Sequence, residues 1–311
     1  MSHDGAPLIT ARRLIKRFTN FTAVDGVDFD VHAGEAFGLL GPNGAGKTST
    51  MRMIGCVSPV TDGELRVLGM DPRTHASAIK ARLGVVPQQD NLDSELTVRE
   101  NLLMYARYFD TPRRVARARV DDLLEFVQLT DRADSEVEPL SGGMKRRLTI
   151  ARSLVNEPDV VLLDEPTTGL DPQARHVIWD RLYRLKQKGA TLLLTTHYMD
   201  EAEQLCDRVV IMDRGTIVSE GSPRQLIERH ATREVLELRV PEERRSSLRE
   251  GLTGQVERVE ELPDRVLVYA DDGEVVLEHL HAQGVRPVSA LVRRSTLEDV
   301  FLRLTGRTLV E

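Results

Sequence analysis

The segment Gly41-Pro42-Asn43-Gly44-Ala45-Gly46-Lys47-Thr48-Ser49 contains the spacing Gly-x-x-x-x-Gly-Lys-Thr. Glycines so spaced let a chain curl its backbone N–H groups around phosphate oxygens, and the positive end of a following helix adds to the attraction. In such a loop Lys47 would neutralise the terminal phosphates of a nucleotide and the Thr48 hydroxyl would ligate Mg2+. A second group stands at Val160-Val161-Leu162-Leu163-Asp164-Glu165. Asp164 closes a fully apolar run, at the carboxyl edge where open α/β sheets bind ligands, and suits a Mg2+ ion held through its water shell. Glu165, one residue further out, is placed to accept a proton from a water attacking the terminal phosphate. The third group is Leu140-Ser141-Gly142-Gly143-Met144. Ser141 there caps a helix whose first turn is Gly142-Gly143, presenting bare N–H groups and a hydroxyl at a positive helix end. That is a second phosphate-binding end, for which one nucleotide on one chain has no evident use. The economical arrangement is a dimer in which this helix end closes on the partner's phosphate loop.

These groups need elements to hold them. Ala36–Leu40 is a compact apolar strand, and a helix from Lys47 follows with Met51 and Ile54 facing inward. Asp159–Asp164 and Thr191–Thr196 read as strands flanking a helix over Pro172–Lys188. Helices alternating with apolar runs predict an α/β fold, a parallel sheet with helices on its faces. Near 91–135 the pattern is helical. Thr97 with Glu100 is a capping box, followed by Val98, Leu102, Tyr105, Ala106 and Phe109 at helical spacing. Thr111-Pro112 then reads as N-cap and first-turn proline of a helix burying Val115, Val120, Leu123, Leu124 and Val127. A helix from about Gly142 to Val155 puts Met144, Leu148, Ala151 and Leu154 on one face. Residues 91–155 thus form a helical subdomain inserted in the core.

Past about 226 the texture changes. Strand Val235–Val240, helix Glu242–Glu250, strands Val256–Glu260 and Val266–Tyr269, helix Val275–Gln283 and strand Pro287–Val292 follow in turn. That β-α-β-β-α-β order is the order of a ferredoxin-like unit, here ending in a helix over Thr296–Leu304. The expected domains are 8–225 and a small α+β domain over 226–311.

Composition narrows the class. The 311 residues are 41% hydrophobic and 29% charged, ordinary for a globular chain, with a net charge of −7. An acidic balance makes nucleic acid an unexpected partner. Cys56 and Cys206 have no partner at metal or disulfide spacing, which fits a reducing compartment. No stretch approaches the roughly 18 apolar residues that span a bilayer, and MSHDGAPLIT lacks the basic-then-apolar pattern of a secretory signal.

Taken in order and spacing, GPNGAGKT, Gln88, LSGGM, VVLLDEP, Gly169-Leu170-Asp171 and Thr196-His197 resemble the nucleotide-binding subunit of an ABC transporter, over roughly residues 8–225. The resemblance implies a P-loop ATPase core binding ATP and Mg2+ in a nucleotide-sandwich dimer. It assigns Phe18 to stacking on adenine, where a core phenylalanine is the alternative. Gln88 would sense Mg2+ and the lytic water, with Gln89 as its neighbour in the same motif. Asp171 would organise the dimer seam, and His197 would hold the γ-phosphate. Ser141, Gly142 and Gly143 would reach the other chain's nucleotide. His279 and His281 lie two apart on a predicted helix and face apart, so they make no metal pair. Met144 replaces the glutamine common in the signature. The run GMKRRLTIAR and the ending TLEDVFLRLTG nevertheless resemble ABC-2-type exporters of the drug-resistance and nodulation-factor group. That group implies a separate ABC-2-type permease, a second ATP-binding subunit (a homodimer) and a place at the cytoplasmic face of the cell membrane. The competing reading is a soluble ABC ATPase that remodels ribosomes or DNA; such proteins carry two cassettes or a coiled-coil insertion, and this chain shows neither. Arg113, Arg114, Arg117 and Arg119 read first as a solvated helix face, and Asp90–Leu96 with the helical insert as a groove for a helix of the membrane subunit.

Overall fold

A computed structural model describes residues 5–241, 248, 252 and 256–306. The chain divides into two compact units, Met1–Glu220 and Gly221–Glu311, five residues ahead of the division drawn from the sequence.

In the first unit, β3 (Ala36–Leu40), β5 (Leu83–Val86), β6 (Val160–Asp164), β7 (Thr191–Thr196), β8 (Arg208–Asp213) and β9 (Thr216–Gly221) form one sheet in the order β5-β6-β7-β3-β8-β9. Pairing is parallel along β5-β6-β7-β3-β8. β3 and β7 are buried along their whole length and β6 along all but its last residue. Strands covered on both faces need continuous apolar sequence, which is why AFGLL, VVLLD and TLLLTT carry no polar alternation. A separate antiparallel sheet, β2-β1-β4, is made by β1 (Ile9–Phe18), β2 (Phe21–Val31) and β4 (Asp62–Val67). Phe29, Phe37, Leu39, Met53 and Leu162 join the two sheets and α1 (Lys47–Ile54) in one core.

The helical subdomain holds α3 (Val98–Arg107), α4 (Arg113–Phe126) and α5 (Gly142–Ser153); α2 (Pro72–Lys80) precedes it. The Thr97–Glu100 capping box is formed in both directions. α4 starts one residue later than expected: Pro112 is its N-cap and Thr111 lies outside. Its inward face is Ala116, Val120, Leu123, Leu124 and then Val127, at intervals of four, three, one and three, whereas Val115 is one position out of phase and 44% exposed. After β6 come α6 (Pro172–Gln187) and α7 (Met199–Leu205).

The second unit begins with α8 (Pro223–His230), followed by β10 (Glu234–Arg239), β11 (Arg258–Glu261), β12 (Val266–Ala270), α9 (Gly273–Ala282), β13 (Ser289–Arg294) and α10 (Leu297–Thr305). Its antiparallel sheet runs β11-β12-β10-β13, the ferredoxin-like order. Leu236, Leu238, Val266, Val268, Val276 and Leu280 fill one side. The helix expected over Glu242–Glu250 lies outside the described residues apart from Leu248. β11 starts two residues later than predicted, and so does β13.

Candidate active site

Three neighbouring strands, β6, β7 and β3, end together, and the residues just beyond their carboxyl ends face one another. The phosphate loop leaves β3 at Leu40 and enters α1 at Lys47. Gly46 caps α1 at a φ of 105°, with no side chain bonded to the first helical N–H groups. Those donors have no partner within the helix and suit a phosphate. A Cβ on Gly46 would stand 2.4 Å from the Ala23 carbonyl oxygen, so only glycine lets β2 pass this close. Lys47 Nζ donates to the carbonyls of Gly41 (2.7 Å) and Pro42 (3.0 Å) and lies 3.7 Å from Glu165 Oε1. Burial holds this amine below the usual lysine range, against the pull of the Glu165 and Asp164 carboxylates.

Asp164 Oδ1 accepts from Thr195 Oγ1 at 2.6 Å and from Thr48 Oγ1 at 3.3 Å. Two hard oxygens side by side, completed by phosphate and water, are a donor set that Mg2+ takes. Among the described residues no group of three His, Cys, Asp or Glu forms a cage for another metal. A Mg2+ ion would fit beside these two oxygens, with Thr48 and Asp164 as residues that would hold it.

Glu165 is buried and its backbone is left-handed, at a φ of 47°. Its N–H donates to the carbonyl (3.1 Å) and hydroxyl (3.0 Å) oxygens of Thr195. Carboxylate Oε2 accepts from Gln88 Nε2 and Thr168 Oγ1, each at 3.1 Å. Oε1 lies 3.4 Å from His197 Nδ1. The His197 ring, Lys47 and the Thr168 hydroxyl hold this carboxyl below the usual glutamate range although burial opposes them. A deprotonated carboxylate beside an amine and an imidazole can take a proton from water. Both glutamines are exposed, and Gln88 is the one whose side chain donates to Glu165.

The remaining predicted residues lie on surfaces. Ser141 caps α5 by accepting from the Met144 N–H, and Asp171 caps α6 by accepting from the Ala174 N–H. A Cβ on Gly143 would come within 2.9 Å of the Ala174 Cβ, so the first turns of α5 and α6 lie flush and present both caps together. Phe18, at the end of β1, is 46% exposed and stacks on Phe21 at 5.1 Å, which excludes the core alternative. Phe21, 61% exposed, went unmarked in the sequence because nothing but its neighbour across the hairpin gives it a role.

Residues 24–168 match the family model described as ABC transporter, and residues 245–306 match the one described as Nodulation factor export protein NodI, C-terminal domain. A Nod factor export ATP-binding protein I from Burkholderia pseudomallei is 48% identical over 303 residues, 97% of this chain and 98% of that protein. The chain belongs to the ABC transporter family. Another Nod factor export ATP-binding protein I, from Ralstonia nicotianae, is 47% identical over 97% of this chain and 95% of its own length. Among solved structures, the ATP-binding subunit of an ABC transporter superposes with a TM-score of 0.65 at 30% identity, covering 71% of this chain and 92% of that one. A dimeric ATP-binding cassette in a post-hydrolysis state, bound to ADP and Pi, superposes with a TM-score of 0.62 at 26% identity, covering 69% and 98%. This ABC ATPase binds ATP and hydrolyses it.

The ABC ATPase also holds buried polar groups that no motif flagged. Glu201 in α7 is fully buried and accepts from Thr167 Oγ1 (2.8 Å) and from the indole N–H of Trp179 (3.0 Å). It ties the segment after Glu165 to α6 and to the helix after His197. Glu201→Ala would leave two buried donors without an acceptor, at about 1–3 kcal/mol each. The expected loss of about 2–6 kcal/mol is measurable by urea unfolding followed through Trp179, the sole tryptophan. Glu201→Gln keeps an acceptor oxygen and should lose less than about 1.5 kcal/mol.

Proposed function

We propose that two copies of this chain close around two ATP molecules and, on hydrolysis, separate, and that this cycle drives a separately encoded ABC-2-type permease at the cytoplasmic face of the membrane. The observation that carries the reading is the convergence of Lys47, Thr48, Asp164, Glu165, Gln88 and His197 at the ends of four adjacent strands, β5, β6, β7 and β3. Lys47 and the amides of residues 41–49 bind the phosphates. Thr48, Asp164 and Gln88 would hold Mg2+, which would neutralise phosphate charge. Glu165 takes the proton of the attacking water. His197 stabilises the γ-phosphate by donating to it. Ser141, Gly142 and Gly143 approach the ATP of the opposite copy, and Asp171 lies in the seam. That two phosphate-binding helix ends exist in one chain supports this pairing.

Phe18 and Phe21 offer an aromatic platform for adenine. Phe18→Ala is expected to raise KM for ATP about threefold to tenfold, matching about 0.5–1.5 kcal/mol of stacking, with kcat nearly unchanged.

Among the described residues no helix is long and apolar enough to cross a membrane. A permease in another chain supplies the pathway in this reading. In this reading the permease docks against the Asp90–Leu96 loop and α3, where Met104 and the C-cap residue Tyr108 are exposed. Asn101 fastens the loop through the carbonyls of Asp93 (2.9 Å) and Leu96 (3.4 Å). Of the four arginines on α4, Arg119 is engaged by Glu157 and the Val155 carbonyl, while Arg113, Arg114 and Arg117 remain exposed. The exported substrate is drug-like, lipid-like or a glycolipid; relatives named for Nod factor export favour the glycolipid end. Near-full-length similarity to export ATP-binding proteins disfavours the ribosome- or DNA-remodelling alternative. Expression with its permease tests the proposal: the chain should co-purify with that membrane protein, which should stimulate its ATPase. Fractionation with ribosomes, or stimulation by RNA or DNA instead, would overturn it.

A further inference from the structure

Arg146 lies in the second turn of α5, is 4% exposed, and spends every guanidinium nitrogen on the site. Nε donates to the carbonyl of Pro166 at 2.6 Å, and Nη2 donates to those of Asp164 and Glu165, each at 3.1 Å. Nη1 donates to the carbonyl of Pro87 and to Asp90 Oδ1, the latter at 3.3 Å. One side chain thus grips three consecutive carbonyls at the end of β6 and just beyond it, and the backbone next to Gln88, across sequence gaps of 18 to 59 residues.

The backbone it grips is strained. Glu165 sits in the left-handed region, which costs a side-chain-bearing residue of order 1–3 kcal/mol and persists only where the surroundings over-determine it. Thr195 fixes the N–H of Glu165 and Arg146 fixes its carbonyl. The carboxylate direction toward Gln88, Thr168 and Lys47 depends on that conformation. Arg146 belongs to the helix whose first residue is capped by Ser141, so the end facing a partner's nucleotide and the chain's own proton acceptor are joined through a single rigid fork.

We propose that Arg146 is a positioning residue for hydrolysis: it holds Glu165 and Gln88 in their working geometry and joins them to the Ser141 end of α5. The inference rests on the proposed role of Glu165. Lysine keeps the charge but cannot reach several carbonyls in one plane, so Arg146→Lys is the informative change. It should fold, bind ATP and form the ATP-dependent dimer. Its kcat should fall about 10²-fold, the cost of a roughly 1 Å misplacement of a reacting group, with KM for ATP within about threefold of wild type. Arg146→Gln keeps a planar amide with two N–H donors and should show the same split.

The assay uses the full-length protein, with steady-state ATPase kinetics, ATP binding and dimer formation measured for both variants beside Glu165→Gln. Wild-type kcat in Arg146→Lys, with Glu165→Gln inactive, overturns the inference alone. Wild-type turnover by Glu165→Gln overturns the functional reading beneath it. A rise in KM at unchanged kcat would place Arg146 in ATP binding, against the inference. Loss of folding or of ATP binding in both variants would make it a residue of the fold only, also against it.

Discussion

Glu165→Gln should lower kcat for ATP by about 10²–10⁴-fold, the range contributed by a positioned general base, and leave ATP affinity intact. The amide is nearly isosteric and can still accept from Gln88 or Thr168, which now stand 3.1 Å from the carboxylate. It cannot take a proton from water. Neither the phosphate loop nor the Thr48 and Asp164 oxygens proposed to hold Mg2+ are altered, so nucleotide should still bind. Closure without hydrolysis should then accumulate an ATP-bound dimer, visible as an ATP-dependent doubling of mass by size exclusion with light scattering.

Lys47→Ala should have the opposite signature. Lys47 is buried, with its amine poised between the loop carbonyls and Glu165. Two charge-assisted hydrogen bonds to phosphate, at about 1.5–3 kcal/mol each, correspond to an affinity loss of about 10²–10⁴-fold. Binding of a fluorescent ATP analogue should become undetectable at concentrations that saturate the wild type, and no ATP-dependent dimer should form. The change also removes one of the groups that hold the Glu165 carboxyl low. The two variants thus separate capture from turnover.

What the sequence made legible was what local spacing encodes. GPNGAGKT between an apolar strand and a helix, VVLLD before Glu165, and the Thr97–Glu100 box are each contained within about ten residues, and each occurs as expected. In the second unit the succession of described strands and helices along the chain also follows the expected alternation of pattern. Contacts that close over long gaps were not legible. Arg146 reads as one more basic residue in a helix until its carbonyl partners are placed around it. Glu201, Thr167 and Trp179 carry no motif and meet only because α7, α6 and the segment after β6 pack together. That Gln88 and not Gln89 donates to Glu165 depends on which side chain turns inward, a matter of one backbone residue. Val115 was misplaced by a single step of helical phase.

The central claim is that each ATP is enclosed by two chains, the phosphate loop of one and the Ser141 end of the other. Native mass spectrometry of Glu165→Gln with saturating Mg-ATP, with and without Ser141→Arg in the same chain, tests it most directly. The account predicts two chains carrying two ATP for Glu165→Gln, and single chains each carrying one ATP once Ser141→Arg is added. Single ATP-loaded chains in both samples, or a dimer untouched by Ser141→Arg, would contradict it.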